Sequence, residues 1–157
     1  MKFSGVKKIS AAAIAAMMLV AGMTACGSSD STGTADSGAT TGTDVKKIGI
    51  IQLVEHDSLD LAREGFIDGL AEAGYVDGQN IKIDQQNAQA DQSNLNSIAQ
   101  RFVSDKKDLV LAIATPAAQT MANASHDMPI MGTAITDYVT AKLVQSNEHP
   151  GGNVSGT

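Results

Sequence analysis

From Val45 onward the chain cycles between short apolar runs and stretches in which apolar residues recur every three or four positions. The first run, VKKIGIIQLV from Val45 to Val54, is rich in Ile and has a charged entry and a polar exit, which predicts a buried strand of a parallel sheet. In the next stretch, SLDLAREGFIDGLAEAGY, residues Leu59, Ala62, Phe66, Leu70 and Ala73 share one helical face; Asp57 or Ser58 is the expected N-cap and Gly74 the stop. NIKIDQQN alternates Ile81 and Ile83 as a second strand, after which Asp91 caps a helix carrying Leu95, Ile98, Ala99 and Phe102 on one face.

The third strand, DLVLAIA from Asp108 to Ala114, is almost wholly apolar, and TPAAQTMANASHD follows it with Thr115 expected at the N-cap and Pro116 at the first helical position. MPIMGTAI predicts a fourth strand, and TDYVTAKLVQS a short fourth helix headed by Thr136 or Asp137. Four successive strand–helix units with short connections predict an α/β fold, a doubly wound parallel sheet with right-handed crossovers. The last segment, NEHPGGNVSGT, reads as a Pro-Gly turn and the beginning of another strand, so the lobe from 45 to 157 is expected to be incomplete.

The pattern before Val45 is of another kind. Lys2, Lys7 and Lys8 precede an apolar stretch from Ile9 to Val20 and small residues up to Ala25, the order of a secretory signal peptide over 1–25. The stretch is short and Ala-rich for a membrane span, which needs roughly 20 strongly apolar residues. Met23, Thr24, Ala25 and Cys26 resemble the bacterial lipobox, in which the cysteine becomes the acylated N-terminus; Met23 stands where Leu is usual. Cys26 is the only cysteine, so neither an internal disulfide nor a cysteine-based metal cage is expected. Residues 27–44 contain no Lys, Arg or aromatic residue and no apolar side chain larger than Ala. Such a segment cannot offset the entropy of ordering it, which predicts a flexible, lipid-anchored linker over 26–44 with a reach on the order of 20 to 25 Å.

Charge narrows the function. The formal net charge is −6, and removing the three lysines of the signal leaves −9, which gives no footprint for nucleic acid. Three Phe, two Tyr and no Trp leave little for stacking on bases. The first strand–helix turn, QLVEHDSLD, has no glycine, so neither a dinucleotide fingerprint nor a P-loop is present. Receiver and flavodoxin-like domains share the topology but are normally cytoplasmic, at odds with an export signal. His56, His126 and His149 show no metal-ligand spacing, and no cofactor or enzymatic activity is expected.

The segments VEHDSLD, GLAEAGYVDGQNIKIDQQNAQADQSNL, IATPAAQTMANA, PIMGTAITD, AKLV and HPGGNVSGT carry a resemblance covering nearly all of the folded part. In order and spacing they resemble the N-terminal lobe of the tryptophan- and tyrosine-type ABC transporter substrate-binding lipoproteins, which have the type I periplasmic-binding-protein fold. The resemblance implies a second lobe with the ligand held between the two, an ABC permease as partner, and a lipid-anchored position on the extracytoplasmic face of the cell membrane. A lipid-anchored sensor presenting its ligand to a signalling receptor fits the same residues. Tyr138 follows TD where the family usually has Pro, a departure that bears on the shape of that loop.

The chemistry of a site follows from the topology alone. In an open parallel sheet, ligands sit outside the carboxyl ends of the strands, where EHDS, NAQA, TPAA and TDYV gather. At TPAA, the Thr115 hydroxyl and the amides of Ala117 and Ala118, backed by the helix dipole, suit a ligand carboxylate. Asp137, with Glu55 or Asp57, suits an ammonium group on the same ligand, and together these groups suggest an amino acid. The candidate ligand-binding residues are therefore His56, Asp57 and Ser58 in the first loop, Thr115, Pro116, Ala117 and Ala118 in the third, and Thr136 and Asp137 in the fourth.

Overall fold

The computed structural model describes residues 45–157; the expected signal segment, Cys26 and the linker up to Asp44 lie outside the described residues. The elements in chain order are β1 (Lys46–Gln52), α1 (Asp57–Glu72), β2 (Ile81–Asn87), α2 (Gln92–Ser104), β3 (Leu109–Ile113), α3 (Thr115–Ala124), β4 (Ile130–Thr133) and β5 (Val154–Gly156). All strand pairings are parallel, in the order β2-β1-β3-β4-β5, so the doubly wound sheet read from the sequence is the one formed.

The central strands β1 and β3 bury residues on both faces, as their apolar runs require. Ile51, Val110, Ala112 and Ile130 point into a core closed by α2 and α3, while Ile50, Leu111 and Ile113 point to the side of α1. On α2 the four expected residues, Leu95, Ile98, Ala99 and Phe102, are all buried. Phe102 seats directly on β1: a Cβ added to Gly49 would lie 2.7 Å from its ring, so only glycine fits there. Asp91 caps α2 as expected, accepting the Asn94 N–H at 2.8 Å. Gly74 ends α1 in the left-handed region at φ +88, with the Tyr75 N–H on Leu70 O and the Gly74 N–H on Ala71 O.

Three local expectations are corrected. The N-cap of α1 is His56 rather than Asp57 or Ser58, because its Nδ1 accepts the Ser58 N–H at 3.3 Å. The N-cap of α3 is Ala114, so Thr115 and Pro116 each lie one position deeper in the helix than expected. The fourth helix is absent: from Thr136 the chain makes a single turn, with the Ala141 N–H on Asp137 O at 3.0 Å. The Lys142 N–H then returns to Val139 O and the Leu143 N–H to Tyr138 O, with Lys142 at φ +58, a helix-terminating pattern reached after one turn. The Asp137 side chain takes the Thr140 N–H as an N-cap would, but β-branched Val139 and Thr140 work against propagation. Leu143 still reaches the core, with Tyr138, Ala141 and Val144 packed around it.

Candidate ligand-binding site

The chain leaves β1 toward one face of the sheet, where α1 lies, and leaves β3 toward the other, where α3 lies. Because β1 and β3 are neighbours, their two loops part at their carboxyl ends and open a crevice, the topological switch point at which doubly wound sheets hold ligands. The Leu53 N–H donates to Ile113 O at 3.3 Å and ties the two ends together. The β2 loop is tied in as well, through the Ala88 N–H to Gln52 O at 2.9 Å and the Ala90 N–H to Leu53 O at 2.8 Å.

On the β1 side, His56, Asp57 and Ser58 form the exposed start of α1. With Nδ1 of His56 accepting the Ser58 amide, the neutral ring carries its proton on Nε2. Asp57 has no hydrogen-bond or ionic partner among the described residues, and its carboxylate remains available. The loop rests on a residue the sequence reading passed over. Gln52 is only 2% exposed; its Nε2 donates to Val54 O at 2.8 Å and to Asp60 Oδ1 at 2.9 Å. Arg63 Nη1 donates to the same Asp60 oxygen at 3.0 Å and to Gln52 Oε1 at 3.3 Å. The signal was present in the sequence as a lone Gln inside an Ile-rich strand, followed by Asp60 and Arg63 one helical turn apart.

On the β3 side, Ala114 holds φ +82 and ψ 152 and supplies no side-chain cap to α3. Such a backbone state in a non-glycine residue costs on the order of 1 to 3 kcal/mol and tends to collect at functional sites. Gln89, Ala90 and Ala134, in the loops after β2 and β4, also have positive φ, so strain gathers at this end of the sheet. First-turn geometry leaves the Thr115 and Ala117 amides without intrahelical acceptors, and the half-buried Thr115 hydroxyl has no partner among the described residues. Ala118 differs from expectation: its N–H already donates to Ala114 O at 3.2 Å. The methyl groups of Ala117 and Ala118 are fully buried, so only backbone can face a ligand there. Pro116 lines a hollow of about 390 Å³ on the flank of α3, shared with Gln92, Gln119 and Leu143.

After β4, Thr136 and Asp137 are both exposed. Asp137 Oδ1 accepts the Thr140 N–H at 2.6 Å, and hydrogen bonds from the Thr140 backbone and hydroxyl hold its carboxyl below the usual range. It is therefore ionised and partly committed to its own turn. Tyr138 fixes this loop by donating its hydroxyl to Gly132 O at 2.6 Å, with Thr157 O 3.2 Å away. A Cβ on Gly132 would lie 2.8 Å from that hydroxyl, which explains the glycine in β4. Burial raises the Tyr138 phenol above its ordinary value.

Residues 47–157 match the model of the ABC transporter substrate binding protein family. This chain belongs to that family. The parallel sheet has the fold of a periplasmic-binding-protein lobe. The chain is 53% identical over 152 residues to the tyrosine-binding protein of Clostridioides difficile (strain R20291), covering 96% of this chain and 44% of that protein. It is 57% identical, with a TM-score of 0.70, to the ligand-free, open structure of a substrate-binding protein with adhesive properties from Clostridium difficile, covering 71% of this chain and 38% of that one. It is 49% identical, with a TM-score of 0.69, to a Streptococcus pneumoniae ABC domain in complex with L-Trp, covering 72% of this chain and 38% of that one. The sequence thus spans less than half the length of these relatives. Among the described residues no group of three or more His, Cys, Asp or Glu is placed to hold a metal ion.

Proposed function

We propose that this chain is the N-terminal lobe of a lipid-anchored, extracytoplasmic solute-binding protein that captures an aromatic amino acid and delivers it to an ABC transporter permease. The observation that carries the reading is the unpartnered Thr115 hydroxyl beside the open first turn of α3, across the β1/β3 switch point from the unpaired Asp57. An α-carboxylate placed at the α3 turn gains hydrogen bonds and the favourable end of the helix dipole. An α-ammonium donates a charge-assisted hydrogen bond to Asp57 or Asp137. The relatives named for tyrosine and solved with L-Trp support an aromatic side chain on the ligand. The match over 152 residues extends ahead of β1 into the segment that carries the leader pattern and Cys26.

One lobe provides one wall. Small ligands held well have about 70 to 90% of their surface buried, so the second wall comes from a further lobe in the full-length parent. The test is calorimetric titration of Tyr, Trp and Leu into that parent and its Thr115→Val variant. Loss of one buried hydrogen-bond partner is expected to weaken aromatic amino-acid binding by about ten- to hundredfold. An unchanged dissociation constant removes Thr115 from the site, and no binding of Tyr or Trp overturns the ligand class.

A further inference from the structure

Positive charge is unevenly distributed over this acidic lobe. Of the eight Lys and Arg residues between Val45 and Thr157, five lie at one corner of the sheet on the α2 side: Lys47, Lys82, Arg101, Lys106 and Lys107. Lys47 and Lys82 are paired in register on β1 and β2 and so project from the same face; Lys106 and Lys107 follow the end of α2. Two carboxylates share the corner. Asp84 is bonded by Lys107 at 2.9 Å and by Arg101 at 3.2 Å, and Asp105 lies 3.5 Å from Lys107. The corner is left with a net charge of +3, while the rest of the described lobe holds three basic residues against twelve acidic ones. The exposed ammonium groups of Lys82 and Lys106 have no carboxylate partner among the described residues, and that of Lys47 donates to Asp105 O at 3.4 Å and acts on the neighbouring Asp108 carboxylate, which is itself paired with Lys46 at 3.0 Å. Lys47, Lys82, Lys106 and Lys107 line a hollow of about 740 Å³.

We infer that this corner is a binding surface for anionic lipid headgroups, the lysine ammonium groups donating to phosphate oxygens at the membrane to which the chain is tethered. The inference rests on the lipid-anchor reading of Cys26 and adds an orientation to it. The corner adjoins the first residues of β1, where the chain arrives after the 18 residues from Gly27 to Asp44. A coil of that length reaches on the order of 20 to 25 Å, so an anchored lobe stays within a few Debye lengths of the headgroups. The rest of the lobe, being acidic, is repelled by such a surface, and this corner is the part that is drawn to it. The lysines lie at the amino end of β1 and β2, and the ligand crevice at the carboxyl end. Lying on its basic corner, the lobe holds its crevice at the end away from the membrane.

The test uses the unlipidated chain from residue 26 onward, carrying Cys26→Ser, sedimented with phosphatidylcholine vesicles with and without phosphatidylglycerol. Binding is expected only with the anionic lipid and is expected to fall as ionic strength rises. Lys82→Gln and Lys106→Gln are each expected to lower vesicle partitioning about fivefold, whereas Lys142→Gln, away from the corner, leaves it unchanged. Equal binding to neutral vesicles, indifference to salt, or an unaltered Lys82→Gln/Lys106→Gln variant with native circular dichroism overturns the inference. Binding to soluble polyphosphate with the same lysine dependence, but not to vesicles, also overturns it. Intact mass of the membrane-extracted parent reads acylation of Cys26 separately, so failure of the anchor and failure of the lysine surface give different results.

Discussion

The two faces of the sheet are covered to very different depths. On one, α2 and α3 bury Leu95, Ile98, Ala99, Phe102, Ala117, Ala118 and Met121, and the turn after β4 adds Leu143. On the other, α1 lies alone, none of its residues is fully buried, and Leu61 on the helix and Met131 on the sheet are exposed. Yet α1 is the longest helix described, and Leu59, Phe66 and Ile67 do pack on Ile50, Leu111 and Ile113. The difference teaches that an amphipathic period announces which side of a helix turns inward, not how much cover it will find. What fixes the start of α1 is polar: the Gln52–Asp60–Arg63 network under the crevice loop.

The largest test of this contrast sets Phe102→Ala against Phe66→Ala. Removing the fully buried ring is expected to cost about 3 to 5 kcal/mol, the usual range for a Phe truncated in a closed core. Phe66 is only partly buried, and about 1.5 to 2.5 kcal/mol is expected for it, roughly half the cost in the closed core. Denaturant titrations of both variants read the two values, and equal losses would mean that the α1 side is as closed as the other.

A middle-sized effect is expected from Gln52→Leu, which keeps the bulk but leaves Val54 O, Asp60 and Arg63 short of a partner. The expected cost is about 1 to 3 kcal/mol, accompanied by faster amide exchange from Val54 to Asp60. Unchanged exchange in that segment would show that the network does not hold the loop.

The smallest effect concerns pH and belongs to the α2 side. Burial by itself would raise the Asp84 carboxyl, but hydrogen bonds from Lys107 and Gln86 and the charges of Lys107 and Arg101 outweigh it and bring it below the ordinary 3.8. A carboxyl lowered on folding contributes its full stabilisation above the unfolded value and loses it as pH falls through the folded one. Asp84→Asn should therefore destabilise the lobe by less than about 1 kcal/mol at neutral pH and flatten the decline below pH 3.8. An identical acid limb in both proteins would place the acid-sensitive group elsewhere.

The sequence by itself determined the elements from β1 to β4 and their order, though not the missing helix after β4, because a strand's apolar run and a helix's three-to-four spacing are written locally in the chain. It also marked the loops that meet at the crevice, since the carboxyl ends of parallel strands lie together whatever the details of packing. Asp91, Gly74 and the buried face of α2 were legible for the same reason: each depends on neighbours within a turn or two. The tertiary structure decided what depends on distant partners. It set β1 beside β3, left α1 half covered, and stopped the segment after Thr136 at one turn whose Leu143 still fills the core. It engaged the Ala118 amide with Ala114 O and left the Thr115 hydroxyl without a partner, although the two are three residues apart in one motif. It also made Gln52 a buried hub, because a polar side chain in a strand is defined by the groups that close around it, and here those come from α1. Spare hydrogen-bonding capacity is a property of the folded neighbourhood, which no local pattern in the chain announces.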